Sequence, residues 1–157
     1  MKIDGHGLRD YFRLLAPLFA LIAAVWALRI VVYAAGVRGP ALHVISVTLA
    51  GRLSILLAVI IIHRRRFGGY TSVIASVFLL SCWEQLVISA AILFTVLTGI
   101  FNVYSAPHYT FGETPAVHML GHLTVGIGSG ALLGAAMGCL LLLILRKLVS
   151  PATRSTR

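Results

Sequence analysis

Thr71–Ile100 reads TSVIASVFLLSCWEQLVISAAILFTVLTGI, about 30 residues with one charged side chain, Glu84. A hydrocarbon core of roughly 30 Å is crossed by ~20 predominantly apolar residues in a helix. The run is therefore long enough to span a membrane and to tilt or extend past it. Three other stretches share its character, from about Leu14 to Ala35, Leu42 to Ile62 and Val117 to Leu145. In hydrocarbon every backbone group must be bonded internally, which leaves helices as the economical solution. The expected fold is all-α, a single transmembrane domain over residues 1–157 with four spanning helices in an antiparallel bundle. The apolar stretch of the first segment exceeds a usual signal-peptide core, so a retained span is expected there.

Composition agrees. Of 157 residues, 59% are hydrophobic and 11% charged, and the mean hydropathy is +0.99. Soluble domains are about 25% charged, so an ordinary globular enzyme is excluded. The net charge of +9 does not form a nucleic-acid face, because the basic residues stand at the ends of apolar runs. Lys2, Arg9 and Arg13 precede the first run; Arg64, Arg65 and Arg66 follow the second; Arg146, Lys147, Arg154 and Arg157 follow the fourth. The opposite loops hold only Arg38. Under the positive-inside rule both termini and the second loop are cytoplasmic, and a bacterial inner membrane is the expected location. Cys82 and Cys139 lie in different apolar runs at different depths, which predicts two unpaired thiols.

The loops fit this plan. Gly39-Pro40 marks a turn between the first two spans, and Phe67-Gly68-Gly69-Tyr70 the next. The outer loop, 101–116, carries Phe101, Tyr104, Tyr109 and Phe111 with Pro107 and Pro115, a content suited to lying on the membrane surface or capping the bundle. No internal repeat is present.

Three charged residues fall inside the spans: Arg29, Arg52 and Glu84. Such groups cost several kcal/mol and usually face the bundle interior. Helical rise puts all three between the midplane and the outer leaflet, which predicts a shared network. One reading is a structural ion pair with the second arginine snorkelling outward. The other is an outward-facing polar pocket, formed with Gln85, for an anionic small molecule or lipid headgroup. Ser81, Gln85 and Ser89 recur at four-residue spacing beside Glu84, and Thr48 shares a face with Arg52.

Histidine forms a second constellation. His118 and His122, four apart, can chelate a transition metal from one helix face. His43, His108 and Glu113 fall on the same side of the membrane, and the donor types suit zinc or copper. His43 opposite His118 or His122 also admits a haem. Lastly, Gly126, Gly130, Gly134 and Gly138 form a ridge that lets helices approach closely, within the chain or in a homo-oligomer or larger membrane complex. Three functions remain: a binding, transport or accessory protein around Arg29, Arg52 and Glu84; a metal- or haem-dependent membrane enzyme or redox subunit; and a structural subunit.

Overall fold

The computed structural model describes residues 2–39, 41–105 and 114–149, and for residues 41, 43 and 149 the backbone alone. Apart from a two-stranded ribbon at the start, regular structure among the described residues is helical, and four helices are long and apolar enough to cross a membrane. In order these elements are β1 Lys2–Ile3, β2 His6–Gly7, α1 Leu8–Ala34, the short α2 Ala41–Val44, α3 Val47–Arg65 and α4 Tyr70–Thr98. The last span is α5 Pro115–Gly121, a π-helical turn His122–Gly126, and α6 Ile127–Val149.

The ribbon follows from Asp4-Gly5. Both residues have positive φ, 50° and 83°, the requirement of a two-residue I′ hairpin turn. The turn aims the Asp4 carboxylate at the start of α4. There it accepts from Gly69 N (2.8 Å), Thr71 Oγ1 (2.6 Å), Ser72 N (3.3 Å) and Ser72 Oγ (2.8 Å). Gly69 precedes α4 and has no side chain with which to cap it, so a residue distant in sequence satisfies those orphan donors. These bonds hold the Asp4 carboxyl down at about 2, Thr71 contributing most. His6 stacks on Phe67 at 3.8 Å, and Tyr11 meets the same ring edge-on. The ribbon is thereby fastened to the α3–α4 turn.

Helix boundaries shift where caps outweigh hydropathy. α1 begins at Leu8 instead of near Leu14, because Asp10 in its first turn accepts from Gly7 N at 2.8 Å. The second apolar run is broken after Val44, and α3 restarts behind Ser46, whose Oγ accepts from Leu49 N at 3.3 Å. Pro115 occupies the first turn of α5 behind the Thr114 cap.

The central pair, α3 and α4, runs antiparallel through a four-residue turn, and each packs against the other long helices. α1 flanks the pair on one side, parallel to α4: Tyr11 bonds Ser72, and the Trp83 indole donates to Phe19 O at 3.0 Å. α6 flanks it on the other. Leu15, Ile22, Val59, Ile62, Val73 and Val77 form the apolar core. The far end, opposite Lys2, Arg64 and Arg146, is closed by residues 99–105. Asn102 Nδ2 donates to Ala91 O (2.7 Å) and Thr95 Oγ1 (2.9 Å), while its Oδ1 accepts from Tyr104 N. Val103, Tyr104 and Ser105 are buried beneath the exposed Phe101. Residues 101–105 thus cap the bundle; Pro107, Tyr109 and Phe111 lie outside the described residues.

Candidate functional site

The glycine ridge sets the register of the site. A Cβ on Gly126, Gly130, Gly134 or Gly138 meets Gln85, Ser81, Val77 or Val73 of α4 respectively. Each step of four along α6 is thus matched by a step of four back along α4. α3 closes the same surface, with Ile55 against Gly134 and Val59 against Gly138. The four glycines therefore face α4 and α3 of their own chain.

At the level of Gly126 the facing residues become polar. Glu84 is buried, 4% exposed, against Gly51, where any side chain would collide with its carboxylate. From α3 the hydroxyl of Thr48 bonds this carboxylate and the charge of Arg52 acts on it. Arg52 Nη1 also donates to Gly130 O at 3.2 Å, so one guanidinium ties α3 to α6 beside the carboxylate. Gln85 Nε2 donates to Glu84 Oε1 at 3.4 Å, and Gln85 Oε1 is 2.6 Å from His122 Nδ1. An amide oxygen can only accept, so His122 bears its proton on Nδ1 in this arrangement. His118 follows one turn nearer the 99–105 end, its ring edge-to-face with His122 at 4.9 Å between centroids.

His122 opens the π turn. An i→i+5 turn takes up one extra residue, and such turns concentrate at functional sites. Here it takes up the drift that four-residue spacing accumulates in a regular helix, so His122 and Gly126 both face Gln85. Nothing in HLTVG marks a π turn, and sequence reasoning missed it.

The expected residues do not all meet. Arg52, Glu84 and Gln85 come together, with Thr48. Arg29 instead stands over the Tyr104 ring, 5.2 Å from its centroid. Burial pushes the Tyr104 phenol up to about 12, with the Arg29 charge pulling the other way. The bond between Tyr11 and Ser72 sets the register of α1 on α4, and from that level Arg29 stands ~9 Å farther toward the 99–105 cap than Glu84. For the proposed metal set, His118 and His122 are neighbours, while His108 and Glu113 lie outside the described residues and His43 is described by its backbone alone. Among the described residues no three His, Cys, Asp or Glu side chains gather as a metal set. Cys82 and Cys139 are both free thiols.

Fold and site together define a class: a helical bundle with four helices of membrane-spanning length around a buried carboxylate–arginine–amide–imidazole cluster. No family model matches the chain, and neither a curated protein nor a solved structure does.

Proposed function

We propose that this chain is an integral membrane protein of the binding or transport class, with a centre that takes up and releases protons at Glu84 and His122. It crosses a bacterial inner membrane four times with both termini in the cytoplasm, the side to which the clustered arginines and lysines belong. His118 and Thr48 then lie toward the outer side and serve the centre from there. Arg52 balances Glu84, and Gln85 holds His122 beside them.

The observation that carries this reading is the continuous contact from His122 through Gln85 to Glu84. A structural ion pair needs Arg52 and Glu84 only. It requires neither a glutamine bridge to an imidazole nor a π turn that gives up regular helix geometry to present it. Charge balance also favours a proton over an anion: Glu84 has one arginine acting on it, so the cluster lacks the excess positive charge of a phosphate or carboxylate pocket.

Infrared difference spectroscopy on the protein in lipid nanodiscs tests the site. A carboxyl band should titrate together with an imidazole band. It should vanish in Glu84→Gln, and the two bands should part in Gln85→Leu. A carboxyl band that titrates identically in wild type and Gln85→Leu sinks the proposal. Reporter fusions at both termini and after Gly99 test the orientation.

A further inference from the structure

Beyond the centre, buried hydroxyls continue toward the opposite, basic end. Ser72 is fully buried and bonds both the Asp4 carboxylate and the Tyr11 hydroxyl, each at 2.8 Å. Asp4 itself is exposed. Ser76 and Ser54 have no accessible surface at all, and neither hydroxyl has a hydrogen-bond partner among the described residues. A buried hydroxyl left unbonded costs about 1–3 kcal/mol, and internal water is the usual remedy.

Their directions follow from neighbours with known contacts. On α4, Ser72 and Trp83 face α1, while Glu84 faces Gly51 of α3. At ~100° per residue, Ser76 occupies the strip between those two lines. On α3, Gly51 faces α4 and Val59 faces α6, which turns Ser54 to the α1 side of the same interface. Both hydroxyls therefore face the seam where α1, α3 and α4 meet. Along the axis Ser76 lies ~6 Å above Ser72, Ser54 ~7.5 Å above Ser76, and Glu84 ~4.5 Å above Ser54. One or two waters bridge such gaps at hydrogen-bond spacing. The buried Leu80 interrupts the α4 strip between Ser76 and Glu84, which leaves Ser54, from α3, as the step past it.

We propose that Asp4, Ser72, Ser76 and Ser54 form a second proton half-passage that meets the first at Glu84, so that the chain conducts protons from one face of the membrane to the other. This rests on the protonatable centre described above. The outer half runs past His118 and His122 between α3, α4 and the fourth span; the inner half runs between α1, α3 and α4. Glu84 stands where the two halves meet. A proton taken from outer water by His122 is returned to water beside it and accepted from that water by the Glu84 carboxylate, Gln85 positioning the two groups without carrying the proton itself. It leaves by displacement along the hydroxyls, each accepting one proton and releasing another, until one is lost to water beside Asp4. Arg52 from α3, His122 and His118 from the fourth span, and Arg29 from α1 at the Tyr104 level are the charged and titratable groups around this junction.

The experiment uses the full chain in liposomes with a trapped pH dye and a potassium–valinomycin potential. Proton entry should exceed that of protein-free liposomes and fall to their level in Glu84→Gln. Ser54→Ala and Ser76→Ala should each slow it roughly tenfold, while thermal unfolding stays unchanged or rises, because an unbonded buried hydroxyl is being removed. Ser129→Ala, on the exposed side of α6, should conduct as wild type. Entry no faster than in empty liposomes overturns the passage, as does unaltered conduction in Ser54→Ala and Ser76→Ala. If the Glu84 carboxyl band still titrates with His122 in that case, the passage alone is wrong; if that coupling is missing too, the centre falls with it.

Discussion

The two halves of the glycine ridge share one backbone register and differ in what they meet. Gly134 and Gly138 face Val77, Ile55, Val73 and Val59; Gly126 and Gly130 face Gln85 and Ser81. In the lower half close approach serves dispersion packing, the main adhesive between membrane helices. In the upper half the same approach admits a polar cluster and lets Gly130 offer its carbonyl to Arg52. A small-residue stripe thus fixes how near two helices come, and the facing residues decide whether that nearness holds a core or builds a site.

Substitutions can push the halves apart. The largest effect should come from Arg52→Leu, which leaves Glu84 without its compensating charge and lowers stability by about 3–5 kcal/mol if the carboxylate stays ionised. Adding Glu84→Leu should restore most of that loss, since no buried carboxylate is then left without a compensating charge. The double variant should nevertheless lack the titrating carboxyl band. Unfolding in denaturant, followed by tryptophan fluorescence, reads both. A double variant no more stable than Arg52→Leu removes the pairing argument.

Gly134→Ala comes next. Its Cβ would stand 2.7 Å from Val77 Cγ1 and 2.8 Å from Ile55 Cδ1. Overpacking of this kind costs about 1–3 kcal/mol, against less than ~1 kcal/mol gained in helix propensity. Gly126→Ala meets the Gln85 side chain instead, at 2.7 Å from Oε1. It should cost less stability than Gly134→Ala and yet part the Glu84 and His122 titrations. Equal stability losses with intact coupling would show that the halves do not differ as described.

The smallest effect belongs to the ribbon. Asp4 is lowered from an ordinary 3.8 to about 2 by its bonds to Thr71, Gly69 and Ser72. A depressed carboxyl contributes stability above its unfolded value and loses it as pH falls through the folded one. The gap in melting temperature between wild type and Asp4→Asn should therefore be full at neutral pH and close between about 4 and about 2. A gap that is constant with pH denies Asp4 its capping role.

The four long helices were legible because hydropathy integrates over many residues, and Glu84, Gln85 and Arg52 were legible because charge within such runs is costly. Arg29 was grouped with them on a height counted from the start of each apolar run, and the register that Tyr11 and Ser72 set carries it ~9 Å farther, to Tyr104. The ribbon escaped notice because two-residue strands have no period, although Asp4-Gly5 carries the turn signal. His118 and His122 stood out as a chelating pair. What turns His122 toward Gln85 is backbone phase, which no side-chain pattern in 122–126 records.

That phase gives chain length a meaning of its own in the fourth span. Each residue contributes ~100° of rotation in a regular helix, so the surplus residue in His122–Gly126 acts as a clutch between two shafts. Through it, His122 and the glycines below all face α4. A lineage that lost one codon here would keep every named side chain and the same hydropathy. Because the π turn absorbs its surplus residue, that loss would restore regular helix with both flanks held where they stand, so length here is free to vary by one where the side chains of the site are not.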